Sequence, residues 1–221
     1  MFTHLSSKYP TLAIWLAEEP QLMLPILNEV ALELVGEVYP DYKIFFPDIY
    51  VRVKELPVED KLRDLRQVHL NALIKIRGVV TKRTGVFPEL KHEYYRCAGC
   101  NDVKGPFFND HNDLTKNFLG RCIVCQRDSK SFFLETSMSV YRNYQKWTIQ
   151  ETPGSVPPGR VPRQKEIIIL NDLVDSARPG DEVEITGIFI NRFDYGANVK
   201  HGFPVFTTII EANNVKRFGD E

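Results

Sequence analysis

Residues 72–86 read ALIKIRGVVTKRTGV. Apolar residues alternate with polar ones, and β-branched side chains dominate. That pattern describes a strand with one buried face. Gly78 interrupts it, at a place suited to a bulge or a sharp bend. The following stretches repeat the signal: SFFLETSMSVY (131–141), YQKWTIQE (144–151), EIIIL (166–170), DEVEITGIFINRF (181–193) and FPVFTTIIEANNV (203–215). Short strands joined by Gly- and Pro-rich turns predict a small closed or partly open barrel.

Upstream the period changes. TLAIWLAEE (11–19) and QLMLPILNEVALELVGEVY (21–39) place apolar residues at helical spacing, with Leu24, Leu27, Ala31, Leu34, Val35 and Val38 on one face. Pro25 fits a first turn, so the second helix is expected to start near Met23 and to stop at Pro40. DIYVRVKEL (48–56) alternates Ile49, Val51 and Val53 and predicts a strand. PVEDKLRDLRQ (57–67) predicts a short helix with Leu62 and Leu65 facing inward. The fold class expected is therefore mixed α and β with several subdomains. A helical bundle over 1–68 precedes a β-barrel over 69–94 and 129–221, and a cysteine-bearing insertion occupies 95–128. Two loops stand out. Residues 151–165 are long and Pro-rich, a length more typical of functional than of simple connecting loops. Residues 191–203 separate two strong strands and read as a projecting hairpin.

The chain has 221 residues, with 28 basic and 29 acidic side chains. Bulk charge therefore names no partner, but its distribution is uneven. Residues 1–47 carry six acids against two lysines, whereas 75–104 carry seven bases against three acids. A basic face suits an anionic polymer. No apolar run approaches the ~20 residues that span a bilayer, so no membrane partner is expected. The N-terminus lacks a signal-peptide pattern, which puts the cysteines in a cytosolic or nuclear setting where disulfides seldom persist.

All four cysteines fall in YRCAGC (95–100) and GRCIVC (120–125). Each C-x2-C lets two sulfurs face one ion, and the two pairs together match the zinc-ribbon pattern. Gly99 is expected to permit the first tight turn. Cys97, Cys100, Cys122 and Cys125 are the expected ligands of one structural Zn2+. An iron–sulfur cluster also uses four thiolates and stays an alternative, as do disulfides or free thiols. Four sulfurs would leave no open position for water or substrate, and binding would supply folding energy to a segment poor in apolar residues. No G-x-x-x-x-G-K-[ST] phosphate loop occurs, and no Ser/His/Asp or Cys/His set has recognisable spacing. The histidines are scattered, and no catalytic site is expected.

A second constellation is basic. Arg77, Lys82 and Arg83 lie along the first barrel strand, Lys146 sits beside Trp147, and Arg192 and Lys200 flank the hairpin. Barrels of the OB type bind single strands through basic grooves with aromatic platforms. Ordinary solvated charge is the competing reading for each base, and core or interface packing is the competing reading for Tyr94, Tyr95 and Trp147.

Taken together, LRQVHLNALIKIRGVVTKRTGVFPEL (65–90), the two C-x2-C pairs, QETPGSVPPGRVPR (150–163), LVDSARPGDEVEITGIF (173–189) and HGFPVF (201–206) resemble the N-terminal region of minichromosome maintenance (MCM) proteins, the subunits of the replicative DNA helicase. The resemblance covers nearly the whole chain, and the 160–188 run is its most specific part. It implies a helical subdomain, an OB fold and a zinc-binding insertion. It implies a nuclear collar that encircles single- or double-stranded DNA within a hetero-hexameric ring of MCM subunits. The 191–203 hairpin would point into the channel, and Arg77, Lys82, Arg83 and Lys146 would face DNA. The loop at 151–165 would correspond to the family's allosteric control loop, and the zinc segment would meet a second hexamer. The family's ATPase domain has no counterpart in the chain, so helicase activity is not expected of it. A scaffold that joins neighbouring subunits with little DNA contact is the alternative.

Overall fold

The computed structural model describes residues 2–108, 120–128, 131–193 and 206–218. Helices α1 (Phe2–Lys8), α2 (Pro10–Glu18), α3 (Pro20–Val38) and α4 (Tyr42–Phe45) are followed by β1 (Leu73–Arg83), β2 (Phe87–Cys97), β3 (Val103–Phe108), β4 (Phe132–Leu134), β5 (Val140–Gln150), β6 (Gln164–Leu170), β7 (Glu182–Phe193) and β8 (Phe206–Arg217). None of these helices is long and apolar enough to cross a membrane.

The eight strands form one sheet in the order β1-β7-β8-β6-β5-β2-β3, with β4 on β2. A further β1–β5 pairing returns the path to its start, so five strands form a closed circuit of ladders. Strand β1 makes this possible by serving two neighbours. It pairs β7 from Leu73 to Val79 and β5 from Val79 to Arg83. Gly78 sits at that crossover, where a Cβ would run into Ile149 and lie 2.6 Å from the Gln150 carbonyl oxygen. Glycine is required there by close approach of β5 rather than by a bulge. The register shift falls between Val80 and Lys82 instead.

Alternation sorts the apolar side chains into two cores. Ile167 and Ile169 join Ile74, Ile76, Val80, Trp147, Ile185, Phe189 and Ile210 on one side of the sheet. Ile168 and Leu170 join Leu73, Ile188, Ile190 and Ile209 on the other, where Leu16, Leu24, Val53 and Leu56 cover them. Strand β6 is buried on both faces, which is why EIIIL has no polar alternation.

Three expectations upstream of β1 fail for identifiable reasons. Helix α3 begins at Pro20, not near Met23, and carries Pro25 in its interior. Pro20 at the first helical position costs nothing, because its missing N–H would be unpaired there anyway. The 48–56 stretch forms no strand. Its backbone is held by asparagine side chains instead. Asn28 Oδ1 accepts from Val51 N at 2.6 Å, and Asn213 accepts from Val53 N at 2.7 Å while donating to the Val51 carbonyl at 3.0 Å. The primary amide of Asn213 thus mimics one rung of a ladder. Residues 57–66 form a bridge and one turn at 62–64 rather than a helix, although Leu62 and Leu65 do face inward, at 7% and 9% exposure. Asp60 there makes a parallel bridge with Ile76, and Lys75 donates to the Leu56 carbonyl at 2.5 Å. Both tie the segment to β1 and so compete with helix formation.

Strands β2 and β3 carry no clear alternation in their sequence. FPELKHEYYRC has mostly half-buried side chains, because β2 lies outside the closed circuit. It pairs β5 from Phe87 to His92, then β3 and β4 further along. One unbroken strand therefore runs from the main sheet into the cysteine segment.

Candidate metal centre and nucleic-acid interface

Cys97 ends β2, and Cys100 follows in the turn. Cys122 and Cys125 lie in a second turn of the same construction. In each, the first cysteine's N–H donates to the carbonyl five residues on: Cys97 to Asp102 at 2.9 Å and Cys122 to Arg127 at 2.8 Å. The residue after the second cysteine returns a bond to the first cysteine's carbonyl: Asn101 to Cys97 at 3.0 Å and Gln126 to Cys122 at 2.9 Å. Asn101 and Gln126 are the left-handed residues, each with φ 59. Gly99 is not, and Val124 fills the equivalent place in the second turn. Gly99 instead makes room for Arg127, whose side chain would lie 2.8 Å from an added Cβ.

The four sulfurs lie within 4.8 Å of one another. Cys97 to Cys125 and Cys100 to Cys122 are each 3.5 Å. Tetrahedral thiolates around an ion with bonds of about 2.3 Å would stand about 3.8 Å apart. None of the four is in a disulfide. The N–H groups of Gly99 and Cys100 pull the Cys97 thiol down to about 6. Cys122 is lowered in the same way by the N–H of Cys125. Cys100 receives an N–H from Asp102, yet burial and the neighbouring sulfurs push it up to about 12. Without a cation, four thiolates cannot coexist at this spacing. The donor set fits a metal ion, with Cys97 and Cys122 almost fully buried, at 0% and 1% exposure.

The bases expected to meet nucleic acid separate into distinct situations. Arg77 donates from Nε to Glu182 at 2.8 Å and stacks over Phe218 at 4.1 Å. Arg83 donates to Asp175 at 2.9 Å and to the Ala177 carbonyl at 3.2 Å. Lys146 pairs with Glu166 at 2.7 Å. Lys82 and Arg192 have no ion-pair partner among the described residues. Lys200 and the hairpin tip lie outside the described residues, while the hairpin's base is set by Arg192↔Thr207 and Phe193↔Phe206.

Lys82 faces a concavity of about 510 Å3 that it shares with Thr81, Thr148, Gln164, Lys165 and Glu166. Lys165 was not among the expected bases. Its signal in the sequence is positional: it alternates with Ile167 and Ile169, so a lysine stands at the mouth of the apolar interior. It donates to Thr208 Oγ1 and lies 5.2 Å from the Phe189 ring centre. Burial, with Arg163 nearby, pushes its pKa below the ordinary value. Trp147 is fully buried, its indole N–H donating to Gln145 at 2.9 Å, so it packs in the core and is no stacking platform.

Comparison with known proteins gives the context for this architecture. The MCM OB domain family matches residues 61–193, and the MCM N-terminal domain family matches residues 1–55. The chain is 50% identical over 212 residues to DNA replication licensing factor MCM2 of Arabidopsis thaliana, covering 96% of the chain and 22% of that protein. It is 47% identical over 216 residues to the mcm2 licensing factor of Schizosaccharomyces pombe, covering 98% of the chain and 26% of that protein. It is 32% identical over 203 residues to the minichromosome maintenance protein of Saccharolobus solfataricus, covering 91% of the chain and 29% of that protein. The chain spans about a quarter of the length of the curated relatives it matches.

Proposed function

The chain belongs to the MCM family, and on that premise we propose that it is the non-catalytic N-terminal collar of the second subunit of a eukaryotic MCM helicase, acting in the nucleus in replication initiation and unwinding. Its three parts, 1–68, 69–94 with 129–221, and 95–128, serve as helical subdomain, OB barrel and zinc insertion. The barrel binds single- or double-stranded DNA, and the 191–203 hairpin reaches toward it. The insertion holds one structural Zn2+ and meets a second hexamer, while the 151–165 loop signals toward the ATPase ring. The carrying observation is the groove in which Lys82, unpaired among the described residues, stands beside Lys165, Thr81, Thr148 and Gln164 on the closed circuit of strands, its one acid, Glu166, being paired with Lys146. Such a groove, with a cation and several neutral donors, suits a phosphodiester backbone.

The test is an oligo(dT) titration at several salt concentrations. Lys82→Glu is expected to weaken binding and to reduce the log–log salt slope by about one. An unchanged slope removes Lys82 from the interface. A single domain binds weakly, because a ring pools contacts from many subunits, so the same titration is run on the assembled hexamer.

A second reading is favoured by a specific observation. Arg77, Arg83 and Lys146 are each committed to an acid of their own chain. That supports a subunit scaffold in which neighbours supply most DNA contacts. Stable association with other MCM N-terminal domains, measured by mass in solution, without oligo(dT) binding would establish it.

A further inference from the structure

Four arginines outside the Lys82 groove surround one small concavity. Arg63, Arg66, Arg160 and Arg163 line about 230 Å3 together with Asp64 and Val161. Two segments distant in sequence build it, the turns after α4 and the Pro-rich loop before β6. Their junction is Glu151, which is only 4% exposed. Its carboxylate takes both Arg63 Nε at 2.9 Å and Arg63 Nη2 at 2.7 Å, and also accepts from Arg163 N at 3.0 Å. Arg63 is thereby neutralised and the loop is pinned to the turns.

The remaining three guanidiniums are not neutralised. Arg66 donates to the carbonyls of Arg63 at 2.6 Å and Leu65 at 2.8 Å. Arg163 reaches the Arg63 carbonyl at 3.5 Å. These bonds orient the guanidiniums without cancelling their charge. Arg160 is placed by a turn in which its N–H donates to the Pro157 carbonyl at 3.2 Å and Gly159 takes φ +76. Pro158 followed by a left-handed glycine is the arrangement of a type II turn. Among the described residues, Arg66, Arg160 and Arg163 have no carboxylate partner. Arg66 and Arg163, oriented by these bonds, and Arg160, carried by the turn, outnumber the one carboxylate of the lining, Asp64, so the cleft is an oxyanion site, and the planar fork of each matches a carboxylate.

We infer that this cleft docks an acidic peptide segment of a partner protein, taking one or two carboxylates between Arg66, Arg160 and Arg163 and an apolar side chain against Val161. Two observations favour a peptide over a nucleic acid. The lining contains no aromatic ring on which a base could stack. Val161 is 84% exposed in the middle of the arginines, a feature of no use to a phosphodiester. The cleft's volume of about 230 Å3 is that of a few side chains. This proposal does not depend on DNA binding by the barrel and survives its failure.

The probe is a fluorescent peptide Asp-Glu-Leu-Glu-Asp, followed by anisotropy with the full chain at about 20 mM salt, where screening is weak. Saturable binding is expected, weakened tenfold or more by Arg160→Glu and by Arg163→Glu. Arg178→Glu, the same charge change on another exposed arginine, is expected to leave it within twofold. Gly159→Val, which keeps every arginine but strains the turn, is expected to weaken it as well. Equal loss in Arg178→Glu, or none in Gly159→Val, would show that diffuse charge holds the peptide and would overturn the site. Absence of saturable binding would also overturn it. So would an oligo(dT) that competes with the peptide and itself loses affinity in Arg160→Glu, since the cleft would then belong to nucleic acid.

Discussion

The closed circuit of strands and the cysteine segment are joined by one strand, yet they are stabilised by different physics. The circuit buries Trp147, Ile149, Ile167, Ile185 and Ile210 to 0% exposure. Its stability comes from apolar area removed from water. Among the described residues the cysteine segment has a core of Cys97, Cys122 and Phe132, with Tyr95, Cys100 and Cys125 half-buried around it. Ile123, Val124 and Phe133 are exposed at 84%, 66% and 64%. Such burial offsets little of the entropy of ordering these residues. The four thiols, close enough to hold a metal ion, offer the other source of stability. Where hydrophobic residues are scarce, a few ligands at correct spacing replace a core.

The largest effect should come from breaking the thiol set. Cys97→Ser, Cys122→Ser or strong chelation is expected to abolish hydrogen-exchange protection across 95–108, 120–128 and 131–134. Structural zinc sites are worth about 10–16 kcal/mol in isolated peptides. Strands β6, β7 and β8 should keep their protection, because their ladders close without the segment. Loss of protection in both regions together would mean that the two are one cooperative unit.

Next is the circuit's own centre. Trp147→Ala removes a fully buried ring and is expected to cost about 3–5 kcal/mol in global unfolding. Chemical denaturation followed by far-UV circular dichroism measures it. Metal content per chain should be unchanged in the folded variant, the reverse of the cysteine result.

A smaller effect is expected where the 46–56 segment is sewn to the sheet. Asn213→Ala leaves the Val53 N–H and the Val51 carbonyl without their partner, at about 1–3 kcal/mol. Exchange should quicken in 48–56, with little change at the cysteines.

The smallest effect is one of acidity. Hydrogen bonds from Arg63 hold the Glu151 carboxylate below its ordinary 4.5. Its stabilisation is therefore fully present above that value and lost as pH falls through the lower folded value. The gap in Tm between the native chain and Glu151→Gln should be constant above about pH 5 and narrow progressively as pH falls below 4.5. A gap that persists into acid would mean the carboxylate's charge contributes nothing.

Much of this was legible in the residues. C-x2-C twice named the four cysteines that the fold brings together, because a two-residue spacer turns the two sulfurs of each pair the same way. Alternation named β1, β5, β7 and β8, since each has a face in the interior, and the unbroken apolar run EIIIL named β6, which is buried on both faces. Strands β2 and β3 were not legible, because half-buried side chains outside the circuit carry no clean period. The 48–56 stretch misled for the opposite reason. It alternates like a strand because Val53 is buried, but its hydrogen-bond partners are two asparagines, one of them 162 residues away.

By itself, then, the amino-acid order determined local periods and ligand spacing, which depend on neighbours a few residues apart. Family membership also follows from it. Tertiary structure alone decided which charges are free. Lys82, Arg83 and Arg77 look alike along β1, but Arg83 meets Asp175 and Arg77 meets Glu182, 92 and 105 residues away. Whether a base is available to a ligand depends on the acid the fold places against it. No reading of the nearby sequence contains that acid.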